Sequence, residues 1–151
     1  VTVENQKIFL VNTHLQSDYD LITSEKLRGS QLTQIHTELL NQRVLENNPL
    51  ILAGDFNFNE SSSEYLKIKN ELLWEDRSKG NNDPMYTFSH LNYWNSDFNS
   101  EKLDYIFFKK SDYLNSSCHI IKEYKKGDID FSDHYPLKLS LSINKIYALT
   151  K

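Results

Sequence analysis

The apolar positions change period along the chain in a way that marks a strand, a helix and a second strand before residue 55. KIFLVNTHL (7 to 15) is rich in β-branched and aromatic residues and reads as a buried strand ending near Thr13. His14 then falls at or just past its C-terminal end. Leu32, Ile35 and Leu39, three and four residues apart, give the buried stripe of a long helix that Thr23 or Ser24 can cap and that runs to about Glu46. Asn48 and Pro49 stop it. Residues 50 to 54, LILAG, are apolar throughout, as expected of a strand covered on both faces. The three elements form a βαβ unit, for which a right-handed crossover is expected.

Further along, Ser61 and Glu64 fit a capping box, and Tyr65, Ile68 and Leu72 share the buried face of a second, shorter helix. From Asp76 to Ser100 the chain is rich in Asn, Ser, Asp and Gly, with Thr87 and Phe88 expected as a short strand. Loops of this length in a compact domain usually carry function or motion. LDYIFF (103 to 108) and residues 119 to 124 read as strands. Leu137, Leu139, Leu141 and Ile143 alternate and mark a final half-exposed strand. There is no internal repeat, low-complexity tract or interdomain linker, so residues 1 to 151 are expected to be a single domain.

Composition narrows the possibilities. Hydrophobic residues are 38%, aromatics 13% and charged residues 25% of the 151, which fits a globular chain and argues against disorder. The formal charge of −4 offers no general attraction to nucleic acid or anionic lipid, so phosphate binding would need a local arrangement or a cation. With Cys118 the only cysteine, intrachain disulfides and cysteine-rich zinc sites are excluded. VTVENQKIFLV, at the start, has no basic segment followed by an apolar core and does not read as a signal peptide. It reads as strand from the outset, so the chain is expected to begin inside a larger fold, and compartment stays undetermined.

The chemistry is concentrated where strands end. NTH (12 to 14), GDFN (54 to 57), LDY (103 to 105) and SDH (132 to 134) place acid, amide or imidazole groups there, and ligands of α/β sheets bind at such ends. Period two places Asp55 and Asn57 on one face. Each segment alone also fits a cap, an Asx-turn or a surface histidine. Asp104 is harder to assign to structure, because a carboxylate between Leu103 and Tyr105 needs a partner to offset desolvation, and a histidine is the natural one.

Taken in order, NTHLQ, GDFN, LDYIF and SDHYP resemble the signature segments of the endonuclease/exonuclease/phosphatase superfamily, which includes deoxyribonuclease I and the neutral sphingomyelinases. The resemblance spans residues 8 to 143. It implies a four-layer α/β sandwich of the deoxyribonuclease I-like type, here incomplete at the N-terminus, and metal-dependent hydrolysis of phosphodiesters. THLQ at 13 to 16, Arg28, Gln31 and Leu32, SSEYL after GDFN, YTF at 86 to 88 and LDYIF are most similar to the sphingomyelinase branch. Arg28 and Gln31 are equally well read as cover for a helix face.

The resemblance also implies roles. His134 would be the general base, or an acid contacting the phosphate, oriented by Asp104. Asp55 would position or activate the attacking water, Asn57 would donate to a phosphoryl oxygen, and His14 would contact the phosphate in the transition state. Asp133 would sit at the metal, Mg²⁺ or else Mn²⁺ or another divalent cation, or hold its water. The family's first-half metal ligands, a strand-borne Asn and a Glu preceded by Gln, have no match among these residues. The chain is therefore expected to correspond to the C-terminal part of a domain. The implied substrate is a phospholipid headgroup at a membrane surface, with phosphocholine released from sphingomyelin. If the protein is such a bacterial enzyme, its place would be extracellular or at the membrane. A nuclease on the same scaffold, or a truncated inactive copy, are the alternatives, and nothing points to a protein partner. EYKKGDIDF (123 to 131), where secreted sphingomyelinases carry an aromatic-tipped hairpin, reads here as a solvated turn at Gly127 and Asp128.

Overall fold

The structure is a computed structural model that describes residues 2–3, 6–41, 49–79, 85–109 and 114–143. It opens with a short antiparallel hairpin of β1 (Thr2–Val3) and β2 (Gln6–Lys7). The scaffold of the molecule is a four-stranded sheet in the order β3, β4, β6, β5. β3 (Phe9–His14) and β4 (Leu50–Asp55) are parallel and joined by the helix α1 (Leu21–Asn41), the expected βαβ arrangement. β6 (Asp104–Lys109) runs antiparallel to β4, and β5 (Trp74–Asp76), which the sequence pattern does not announce, closes the far edge. β7 (Leu114–Ile120) and β10 (Leu137–Ile143) form a separate antiparallel ladder, and β8 (Lys125–Lys126) pairs with β9 (Ile129–Asp130) around Gly127.

The sheet is covered on both faces because its strands alternate two apolar sets. Leu50 and Leu52 enter one cluster with Leu32 and Leu39 of α1 and with Tyr65 and Ile68 of α2 (Ser63–Asn70). Ile51 enters the other with Ile106, Phe108, Met85 and Cys118, against which Leu137 and Leu139 pack. A helical layer, a sheet and a facing ladder are thus stacked in that order. β10 keeps its expected bounds, with Leu141 at its outer end 36% exposed.

The helix starts differ from expectation. α1 begins at Leu21, and Asp20 rather than Thr23 or Ser24 caps it, its Oδ1 accepting from the Ile22 N–H at 3.3 Å and its Oδ2 from the Thr23 hydroxyl at 2.8 Å. The expected end near Glu46 lies outside the described residues. At α2 the cap is Ser62, not Ser61; its hydroxyl oxygen accepts from the Tyr65 N–H at 3.1 Å. With Ser62 as the cap, Glu64 is at the second helical position rather than the third and completes no capping box; it pairs with Arg28 instead. The Arg28 Nε donates to Glu64 Oε1 at 2.7 Å with both side chains buried, and its Nη1 reaches the Gln16 carbonyl at 3.1 Å and Asp18. The Gln16 N–H in turn donates to Gln31 Oε1 at 3.1 Å. Arg28 and Gln31 therefore hold the loop that follows His14 and are not mere cover for a helix. The strand expected at 119 to 124 is β7, displaced toward the N-terminus, and in place of a strand at Thr87 and Phe88 there are two isolated bridges, both made by Phe88.

Gly54 is the tightest point of the sheet. Its φ is 141°, and a Cβ there would lie 1.8 Å from the Thr13 carbonyl oxygen of the neighbouring strand. Only glycine meets both constraints. Gly54→Ala is expected to lose about 2–4 kcal/mol of stability in urea unfolding. A midpoint equal to that of the wild type would refute this reading of the strand pair.

Candidate active site

The register of the sheet builds the site. His14 pairs with Asp55 across β3 and β4, and Asp55 pairs with Asp104 across β4 and β6. Residues opposite one another in register project to the same face, so an imidazole and two carboxylates stand in one row at the sheet's end. Asp55 follows Ile51 and Ala53 in the alternation, and Asp104 precedes Ile106, so the row lies on the face of the second apolar cluster. Phe56 points the other way and is fully buried, its ring 5.1 to 5.8 Å from those of Phe58, Tyr105 and Phe107. That aromatic packing anchors the GDFN turn from below.

His134 arrives from outside the sheet. Its Nδ1 is 2.7 Å from Asp104 Oδ2, and its Nε2 is 3.9 Å from Asp55 Oδ2. His14 Nε2 approaches the same Asp55 oxygen at 3.5 Å from the exposed side, its own side chain 71% exposed. The segment carrying His134 is held by the loop before β6. Asn92 Nδ2 donates to the Ser132 carbonyl at 2.9 Å, and Asn95 Nδ2 donates to that of Asp133. The Tyr93 N–H donates to Asp130 Oδ2 at 2.9 Å, and the Trp94 indole to the Asp130 carbonyl at 2.7 Å. The long polar loop is thus a buttress for the SDH segment. Beside His134, Gly54, Ser132 and Leu137 line a cavity of about 360 Å³.

Charge in the row is unbalanced. Burial and then the Asp104 charge push the Asp55 carboxyl above its ordinary value, against the Asn57 N–H and the two imidazoles, which pull it down. Among the described residues no lysine or arginine contributes to this shift. The hydrogen bond that His134 donates to Asp104 raises its pKa above the ordinary value, and this outweighs the opposing effect of burial. Single ligand atoms of Asp55, Asp104 and His134 lie within 4.8 Å of one another. Since Asp104 Oδ2 is committed to the imidazole, Asp55 Oδ2 is the oxygen left facing the row. Excess negative charge with an oxygen donor free fits a hard divalent cation.

Four of the six residues singled out by sequence, His14, Asp55, Asp104 and His134, meet here. Asn57 behaves differently from the period-two expectation. β4 ends at Asp55, and Asn57 takes a left-handed φ of 52°, so strand alternation no longer governs it. Its N–H donates to Asp55 Oδ1 at 2.9 Å, and its Nδ2 donates to the Leu15 carbonyl at 2.9 Å. Asp133 is exposed, and its Oδ1 takes the Ser132 hydroxyl at 3.2 Å. It is not part of the three-residue cluster. Asn92 and Asn95, both nearly fully buried, were not singled out, because nothing in an Asn-rich stretch separates them from their neighbours.

Over residues 19–134 the sequence matches the endonuclease/exonuclease/phosphatase family. The chain belongs to this family. No curated protein sequence matches it. Among solved structures it is similar to SmcL, at 22% identity and a TM-score of 0.75, over 93% of this chain and 56% of that one. It is also similar to a beta toxin variant from Staphylococcus aureus with bound magnesium ions, at 21% identity and a TM-score of 0.75, over 95% of this chain and 55% of that one. A third is sphingomyelinase C from Streptomyces griseocarneus, at 20% identity and a TM-score of 0.73, over 95% and 56%. The fold is therefore the deoxyribonuclease I-like α/β sandwich of the endonuclease/exonuclease/phosphatase family, and the chain spans about half the length of these structures.

For this family member the charge imbalance has a measurable cost. A carboxyl whose folded pKa is raised destabilises the fold as pH climbs from its unfolded value, about 3.9, through the folded one. Asp55→Asn keeps the acceptor for Asn57 and removes the charge. It is expected to melt above the wild type at pH 7, with the difference closing below about pH 3.9. A lower melting temperature at pH 7 would contradict this. The His134 shift works the other way. Its stabilisation is complete below about pH 6.5 and is lost as pH rises through the raised value.

Proposed function

We propose that the protein hydrolyses phosphodiesters by metal-assisted attack of water at phosphorus, with a phosphocholine lipid of the sphingomyelin type as substrate. The observation that carries the reaction class is the row itself: Asp104 bonded to His134 at 2.7 Å, with the far nitrogen of that imidazole 3.9 Å from Asp55. One carboxylate fixes the ring and raises its basicity, and the other faces the working nitrogen. Membership of the endonuclease/exonuclease/phosphatase family supports the same class.

In this reading His134 moves the proton, taking it from water or giving it to the leaving oxygen. Asp55 Oδ2, facing both imidazoles, orients the water. Asn57 has one amide hydrogen on the Leu15 carbonyl and a second available for a phosphoryl oxygen. His14, exposed at the rim, contacts the phosphate as negative charge grows in the transition state. A divalent cation, Mg²⁺ or Mn²⁺, would polarise the phosphoryl oxygen and offset its charge. Asp55 is the residue of this chain that would hold it, with Asp133 at the margin of the site.

Lipid specificity rests on the sequence resemblance to the sphingomyelinase branch and on the likeness to a protein named sphingomyelinase C. A nuclease would track its substrate with basic residues, whereas the chain carries a net charge of −4.

The natural protein containing this chain is expected to release phosphocholine from sphingomyelin vesicles with Mg²⁺ and to stop on addition of EDTA. Cleavage of plasmid DNA with no action on sphingomyelin would overturn the substrate assignment. Within the same assay His134→Ala is expected to lower turnover about 10²- to 10⁴-fold while the circular dichroism spectrum is kept. Undiminished turnover in that variant would remove His134 from the mechanism.

A further inference from the structure

The YTF stretch at 86 to 88 has no place in the mechanism so far, yet it is bonded to both members of the central pair. Thr87 is fully buried. Its Oγ1 accepts from the Leu103 N–H at 3.1 Å and from the Asp104 N–H at 3.0 Å. Its carbonyl accepts from the Tyr135 N–H at 2.7 Å. One end of this unit fixes the backbone from which the Asp104 carboxylate projects, and the other fixes the residue directly after His134. Phe88 continues the contact, with backbone bridges to Glu101 and His134 and its ring 5.4 Å from the imidazole, tilted by 62°.

Asp104 and His134 are 30 residues apart, and their 2.7 Å hydrogen bond forms only if two independent backbone segments are held in register. His134 belongs to a loop that is not a strand of the sheet, so no ladder supplies that register. Among the described residues, Thr87 bonds to the backbone at Asp104 and also to that beside His134. We propose that Thr87 is a positioning residue for the Asp104–His134 pair, its hydroxyl and carbonyl setting the separation of the two backbones that carry it. This rests on the reading of that pair as the proton-transfer centre, but testing it needs no turnover.

Valine has the shape of threonine without the acceptor, so Thr87→Val deprives the half-buried Leu103 and Asp104 N–H groups of this acceptor; Thr87→Ser keeps it. The readout is the proton on His134 Nδ1, which in a hydrogen bond to a carboxylate resonates downfield of all amide protons. In the full chain this resonance is expected in the wild type and in Thr87→Ser, and to be lost in Thr87→Val while the core methyl signals persist. An unchanged resonance in Thr87→Val overturns the proposal, as does its absence from the wild type. Should Thr87→Val fail to fold, amide exchange of the wild type and Thr87→Ser decides. Slow exchange at Leu103 and Asp104 in both supports the tie, and exchange at the rate of an exposed loop overturns it. If the resonance follows the expected pattern in a natural protein that turns over no phosphodiester, the positioning stands and the proposed function falls.

Discussion

The register with which β4 lies between β3 and β6 puts His14 beside Asp55 and Asp55 beside Asp104. A slip of one residue would bring Gly54 opposite His14 and turn every side chain of the slipped strand to the other face. Two features hold the register. Leu50 and Leu52 are committed to the helix-facing cluster and Ile51 to the other, so a slip would exchange both sets at once. Near the row itself, the Thr13 carbonyl sits where a Cβ of residue 54 would be, so only glycine permits this close approach. The candidate chemistry is thus a property of strand pairing before it is a property of any single side chain.

The same sheet shows how differently buried charge can be handled. Lys102, itself buried, donates to Glu60 at 2.9 Å and to Asp76 at 3.1 Å, and Asp76 also accepts from the Tyr65 and Ser78 hydroxyls. There carboxylates are matched by a cation and hydrogen bonds. In the row of Asp55 and Asp104 the partners among the described residues are two imidazoles and the Asn57 N–H, and Asp55 is left harder to ionise than an ordinary carboxyl. The row is thus less fully compensated than the cluster around Lys102, and that difference is a cost in stability.

Much of the scaffold is legible from patterning. Strict alternation defines β10 to the residue, and LDYIFF locates β6 within one residue of its bounds, because these runs have a single consistent period. The caps, Asp20 and Ser62, lie one to four residues from the positions the pattern suggests, since Ser, Thr and Asp crowd both helix starts and the choice depends on what else competes. Because Ser62 and not Ser61 is the cap, Glu64 falls one position short of a capping box and pairs with Arg28. β7 was displaced because LNSSCHI carries little apolar signal of its own and becomes a strand by pairing with β10.

The local sequence places His14 and Asp55 at the ends of their strands and Asp104 at the start of its own, whereas SDH lies in a loop. The nature and order of GDFN, LDY and SDH already require a carboxylate beside a turn, a carboxylate inside an apolar strand and an imidazole to offset it. Tertiary structure alone decided which imidazole partners which carboxylate, since His14 and His134 were both at hand and only His134 is brought to Asp104. It also decided that Asn57 leaves the strand pattern, and that Thr87, Asn92 and Asn95 bond to the backbone near Asp104 and His134. These depend on contacts between residues far apart in the chain, where local periodicity carries no information and the need to satisfy each buried polar group does.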